Sequence, residues 1–425
     1  MLQMNRQNSR QALDPATDAA LLLRRIGFGT LALALPLASL VSRRAAVVLV
    51  PIGVVLLVIA ALIEDPREIL RGLKHGLLGP AGFLLLCLVG WAVLSLSWSP
   101  YTASAIEKAG NLGLAVVLGF VGMAALPDRM RASNLNLAAL GTGVAAIFAL
   151  VLVVVGAVRH TPTEIGSLDR GISIVLIMAW PSLAWLLSRE RMMSALGLAV
   201  VVGLLALTRF GQGEAIAMIC GVVAFGAVFV SARRAPRIVG LVIAALLFFA
   251  PLIPFVLMPI VARLPDPAGS VLPALTVWAD VVRLGLVQLM TGHGLDTLLI
   301  DRQRGILPPA APTTLLFETW YELGLVGAAA AAVCLYAAIR NTARMPVALA
   351  AGGTAAFTTA FALSALGFAV LQPWWLMTLT AVLLLFGAIA RGQYRTERPV
   401  APPQPVSETH ANGRPKIAIN PRYQR

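Results

Sequence analysis

Residues 45–63 read AAVVLVPIGVVLLVIAALI, with no charged or amide side chain among them. At 1.5 Å per residue, a helix of that length covers roughly 30 Å, the thickness of a bilayer's hydrocarbon core. A helix that is apolar all round has no face to offer water. The stretch therefore reads as a membrane span, and similar runs recur from Ile26 to Ala390.

We read about twelve such spans: Ile26–Ser42, Ala45–Ile63, Leu77–Ser97, Leu112–Leu126, Leu135–Val158, Ile172–Ser188, Ala195–Thr208, Ala215–Ser231, Ile238–Ala262, Thr313–Ile339, Met345–Ala365 and Leu366–Ala390. The Leu112 and Ala195 runs are short, and crossing there requires bilayer thinning or flanking residues that snorkel. The expected fold is an all-α polytopic membrane protein with a long outer loop that carries an amphipathic helix. Its parts are an N-terminal tail (1–25), nine spans (26–262), an outer loop (263–312), three spans (313–390) and a disordered C-terminal tail (391–425).

Composition agrees. Of 425 residues, 59% are hydrophobic and 12% charged, about half the charge fraction of soluble domains. The formal net charge is +14, but its placement speaks against nucleic acid. Basic residues gather in the tails and in alternate loops: Arg67, Arg71 and Lys74; Arg129 and Arg131; Arg189 and Arg191; Arg233, Arg234 and Arg237; Arg340 and Arg344. This bias orients a polytopic chain with both tails cytoplasmic. Arg43 and Arg44, in a short outer turn, break the rule. Cys87, Cys220 and Cys334 lie singly in apolar runs and read as packing residues.

The longest polar interruption, Thr291–Gly327, falls on or beside the outer face. It carries His293, Asp296, Asp301, Arg302, Arg304, Glu318, Trp320, Tyr321 and Glu322. Upstream, Val277–Met290 alternates Trp278, Val281, Val282, Leu284 and Leu286 with Asp280, Arg283 and Gln288. That pattern suits a helix lying on the membrane surface or over a cavity. The prolines of Gly305–Pro312 predict an extended link.

Ionisable groups at or inside spans are expensive and become functional candidates. Asp169-Arg170-Gly171 stands at the mouth of the sixth span: an interfacial ion pair, or an arginine that neutralises an anionic headgroup. In the turn from Thr208 to Glu214, Arg209 either pairs with Glu214 or binds an anion. Arg263, Arg283, Arg302 and Arg304 add positive charge to an outer loop, where little is expected, and point to an anionic ligand. His293, between two glycines, suits proton transfer, with Asp296 close enough in sequence to orient its ring. Glu318 and Glu322, one turn apart, share a helix face. They read as snorkelling acids beside an aromatic belt of Trp320 and Tyr321, or as a general base or sugar ligand lining a cavity.

In order along the chain come Trp98-Ser99-Pro100, Asp169-Arg170-Gly171 opening a span with Trp180-Pro181, a loop with Trp278 and Gly292-His293-Gly294-Leu295-Asp296, a Pro-rich link, and Trp320-Tyr321-Glu322-Leu323-Gly324-Leu325-Val326-Gly327. This ordered set resembles the O-antigen ligase and polymerase family of membrane glycosyltransferases. The likeness runs from the third span to the tenth. It implies transfer of a glycan from an undecaprenyl-diphosphate carrier to lipid A–core or another glycan, at the periplasmic face of a bacterial inner membrane. Arg170 is the best match to a family arginine that contacts the lipid diphosphate, with Arg209 and Arg263 weaker matches. The family's His-x-His-Asn element is replaced by Ala311, Pro312, Thr313 and Thr314, and an expected arginine by Ala274. His293 becomes the substitute base, with Glu318 and Glu322 next. Arginines suffice to neutralise the leaving group without metal or cofactor. A transporter, with no convincing repeat to support it, and a non-catalytic relative acting as an assembly subunit remain as other readings.

Overall fold

The computed structural model describes residues 15–159, 165–209, 213–263, 271–285, 288–367 and 372–392, with two short strands further on. Its helices are α1 (Pro15–Ser39), α2 (Ala45–Glu64), α3 (Pro66–Leu78), α4 (Pro80–Leu94), α5 (Thr102–Ala125), α6 (Ala132–Arg159), α7 (Ile165–Ser188), α8 (Met192–Leu207) and α9 (Glu214–Val230). They continue as α10 (Ala235–Phe248), α11 (Ile253–Val261), α12 (Val271–Leu284), α13 (Gln288–Thr291), α14 (Thr297–Gln303), α15 (Leu315–Thr342), α16 (Val347–Leu366) and α17 (Pro373–Arg391). Among the described residues, nine helices are long and apolar enough to cross a membrane. The bent unit from Ala235 to Val261 makes a tenth, while Met192–Leu207 and Glu214–Val230 are shorter apolar helices.

Each of the twelve stretches read from sequence has a helical counterpart, with revised bounds. The first helix begins at Pro15, not Ile26, because Arg24 is buried against Glu64 at 2.6 Å and need not stay in the tail. The fourth begins at Thr102, not Leu112, for reasons given below. The ninth is broken at Phe249 and bends by 62°. The basic loop near Arg67 is itself a helix, α3, whose N-cap is Asp65 accepting from the Arg67 N–H at 2.8 Å. Between α11 and α15, the amphipathic helix runs over Val271–Leu284 rather than Val277–Met290, and a separate turn, α13, follows Gly285.

Helix α7 is the hub. Its Ile172–Ala179 stretch is buried throughout, and α16, α6 and α8 pack around it. Hydrogen bonds inside this apolar bundle fix the packing. Trp180 Nε1 donates to Thr359 Oγ1 at 2.9 Å, and Ser182 and Thr142 hydroxyls meet at 3.0 Å. Small residues allow close approach: a Cβ on Gly352 would come 2.7 Å from the Ala184 Cβ. Helices α15 and α16 pack together beyond a short turn, Thr342 Oγ1 lying 3.0 Å from Thr354 Oγ1. Helices α5 and α17 run parallel, with Thr380 Oγ1 on the Ala115 carbonyl and Gly119 and Gly122 facing Leu383 and Leu384.

In the tail, Ser407–Thr409 pairs antiparallel with Pro415–Ile417, Ser407 opposite Ile417. The disordered tail expected over 391–425 falls, apart from Arg391, Gly392 and this ladder, outside the described residues.

Candidate functional site

The site is built around a break in α15. Gly324 has φ 64° and ψ −162° within an otherwise continuous helix. That conformation is essentially open to glycine alone. It turns the preceding carbonyls away from the next helical turn, and in a membrane such groups must find other donors. They do. The Tyr321 carbonyl accepts the His293 N–H at 2.8 Å and lies 3.0 Å from His293 Nδ1. The Glu322 carbonyl accepts the Gly294 N–H at 3.0 Å. The Leu323 carbonyl accepts Trp91 Nε1–H at 2.9 Å. The Gly-His-Gly turn thus docks against the break. A Cβ on Gly294 would come 2.6 Å from Ser99 Cα, so glycine permits the contact.

A carbonyl only accepts, so the Nδ1 contact places the proton of a neutral His293 ring on Nδ1. Nε2 is then left with its lone pair. The ring stacks on Tyr321 with centroids 4.1 Å apart and planes 13° from parallel. It borders a narrow cleft with Trp278, Val282, Gln288, Phe317 and Trp320. The expected His293–Asp296 pair is not formed. Asp296 instead accepts from the Ser104 hydroxyl and lies 3.5 Å from Lys108 Nζ. Asp296 itself has φ 62°, a left-handed conformation that Asp tolerates better than most residues.

Lys108 is the residue that sequence reading missed. Its Nζ lies 3.0 Å from Glu318 Oε1 and 2.9 Å from both Glu322 oxygens, with side-chain exposures of 9%, 4% and 1% for Lys108, Glu318 and Glu322. The two glutamates therefore neither snorkel nor line an open cavity: they face a buried ammonium. This pairing explains why α5 starts at Thr102, since Lys108 needs no aqueous loop once its charge is met. The signal was present in sequence. Lys108 occupies the stripe of Ala105, Ala115, Leu118 and Gly122, which form the buried face of α5.

A second polar knot adjoins it. Asp301 accepts from Tyr101 Oη at 2.6 Å and Tyr321 Oη at 2.7 Å. The hydrogen bond to the Asp301 carboxylate is the first cause that raises the Tyr101 phenol above its usual pKa, burial adding to it. Arg304 lies over the Tyr101 ring, 4.6 Å from its centroid.

Other expectations resolve residue by residue. Trp320 and Tyr321 are not an interfacial belt: both are buried, and Trp320 Nε1 donates to the Leu247 carbonyl at 2.8 Å. Trp278 is buried edge-on to Phe317, centroids 5.5 Å apart. Thr314 caps α15, accepting from the Phe317 N–H, while Thr313 lies just outside the helix. Arg209 is taken up by Asp169 at 2.5 Å, with Glu214 at 3.7 Å, so its charge is compensated within the protein. The alternative of an Asp169–Arg170 pair gives way to this one. Arg170 instead lies over the Trp374 ring at 5.4 Å. Arg43, which broke the charge rule, rests against Gly166 at the start of α7 and is near enough to Arg170 for mutual repulsion. Arg263 is exposed after α11, and Arg283 lies over Phe255 at 5.2 Å; neither joins the Lys108 cluster.

The starts of α2, α7, α9 and α17 meet around Arg43, Arg170 and Arg209, and Gly213 before α9 touches Leu366 at the end of α16. Because α5 and α17 run parallel, Trp374, beneath Arg170, lies toward the same end of the bundle as Lys108 and the histidine turn beside it. Searches find no matching family model, no matching curated protein and no matching solved structure. Among the described residues, no group of His, Cys, Asp and Glu is arranged to hold a metal.

Proposed function

We propose that this chain is a membrane glycosyltransferase of the O-antigen ligase and polymerase type. It would take a glycan from an undecaprenyl-diphosphate carrier and pass it to lipid A–core or a growing glycan. The observation that carries this reading is the His293 ring: Nδ1 is committed to the Tyr321 carbonyl, so in the neutral ring the lone pair falls on Nε2, and the residue lines a narrow cleft. That is the state a general base requires. The acceptor hydroxyl gives its proton to Nε2, its oxygen bonds to the anomeric carbon, and the bond from that carbon to the diphosphate oxygen breaks. The departing lipid diphosphate carries the electron pair, and Arg170 with Arg43 at the same end of the bundle offers it positive charge. Arg209, already paired, instead holds Asp169 and Glu214. The order of motifs shared with the family supports the assignment. In this reading all twelve helical stretches cross a bacterial inner membrane, both tails are cytoplasmic, and the site faces the periplasm.

The test is glycan transfer from purified lipid-diphosphate donor by protein in nanodiscs. Loss of one general base costs about 10²–10⁴-fold, so His293→Gln should lower the rate by that much, and Arg170→Ala should abolish transfer while insertion stays normal. Full activity in both variants would remove the proposal.

One observation favours a transporter instead: buried ionisable groups beside a broken helix mark ion pathways in that class. Solute uptake by proteoliposomes, with no glycan transfer, would decide for it.

A further inference from the structure

We propose that Lys108 is a positioning residue for His293, acting through both structures that hold the histidine turn. The first is the helix. Lys108 Nζ lies 2.9 Å from both Glu322 carboxylate oxygens and 3.0 Å from Glu318 Oε1. These residues flank Tyr321, whose carbonyl receives both the backbone N–H of His293 and its ring Nδ1–H. The second is the loop. The same ammonium lies 3.5 Å from Asp296, two residues beyond Gly294, and Asp296 is also tied to Ser104 of α5. Glu322 closes the circuit: its backbone carbonyl accepts Gly294 N–H, and one carboxylate oxygen accepts from Leu298 N–H at 3.4 Å.

One buried charge thus grips the segment before the helix break and the segment after the histidine turn. His293 is held between them. If Lys108 served only to tie α5 to α15, one carboxylate would suffice. Instead three converge on it, two from α15 and one from the loop. A group that keeps several carboxylates on one ammonium fixes angles as well as distance, and orientation of a base within ~10–20° governs its use.

The consequence for transfer rests on the function proposed above, but the ring geometry can be measured without it. The experiment labels histidine with 15N in nanodisc-embedded protein and assigns the His293 signals by their loss in His293→Gln. In the unmodified protein the Nδ1–H tautomer should dominate. In Lys108→Met both tautomers should appear. The transfer rate constant should then fall about 10²-fold, the scale of a ~1 Å misplacement, with little change in donor KM; Lys108→Arg should restore both readings. Glu322→Gln is the second variant. It leaves the ammonium balanced by Glu318 and Asp296, and should shift the tautomer in the same direction even where Lys108→Met does not fold. An unchanged His293 tautomer in Glu322→Gln, or in a folded Lys108→Met, overturns the inference. A shifted tautomer in a protein that transfers no glycan leaves the positioning role standing and removes the glycosyltransferase reading.

Discussion

Replacing Gly324 by alanine tests the architecture of the site more sharply than any change to its charges. At φ 64° and ψ −162° an L-residue is strained, which costs about 1–3 kcal/mol. The added Cβ would also lie 2.5 Å from Gly292 N, 2.6 Å from the Met290 carbonyl oxygen and 2.7 Å from Thr291 C. All three are backbone atoms, so no rotamer change relieves them, and overpacking adds about 1–3 kcal/mol. The sum is about 2–6 kcal/mol, unless the break straightens and releases the histidine turn. Unfolding of the purified protein by increasing SDS in mixed micelles reads this directly. Gly197→Ala is the control, because a Cβ there meets nothing within 4 Å; it should change stability by less than about 1 kcal/mol. If Gly324→Ala is as stable as the control and His293 keeps its environment, the break does not organise the site.

Four further outcomes are expected. Lys108→Met should cost about 3–5 kcal/mol in the same unfolding assay, because it strands buried carboxylates. Tyr321→Phe should cost about 1–3 kcal/mol by removing a buried donor to Asp301, and Tyr101→Phe less, its phenol being nearer solvent; equal losses would argue against the shared knot. Arg209→Ala should reduce folded yield by stranding Glu214, whose side chain is 3% exposed, and adding Glu214→Gln should recover part of it, read by size-exclusion recovery. Trp320→Phe should lose about 1 kcal/mol with the bond to the Leu247 carbonyl.

The helices were legible because a bilayer demands long apolar runs, and those runs stand out without tertiary knowledge. Their ends were less so. Lys108 and Arg24 look like residues of an aqueous segment, yet each is buried against carboxylates that sequence cannot pair with it over a long separation. The importance of the Thr291–Gly327 stretch was visible from its density of polar groups. Its internal wiring was not. Asp296 lies near His293 in sequence but bonds to Ser104, and the partner of the ring is a backbone carbonyl that no side-chain pattern reveals. The arginines divided on the same ground: Arg209 had two carboxylates waiting, whereas Arg43, dismissed as an exception to a charge rule, stands beside Arg170.

The pairing of Lys108 with Glu318 spans 210 residues of chain. At about 5–20 residues per second, a ribosome needs roughly 10–40 s to make that interval. Throughout it, the helix that carries Lys108 has been synthesised and its counter-charges have not. A nascent chain in this window must shelter an ammonium in the insertion machinery, or keep its helix shallow with the amine among headgroups. Chains stalled before Glu318 would remain in that state, and so should be marked for degradation while those completed past Gly324 are spared.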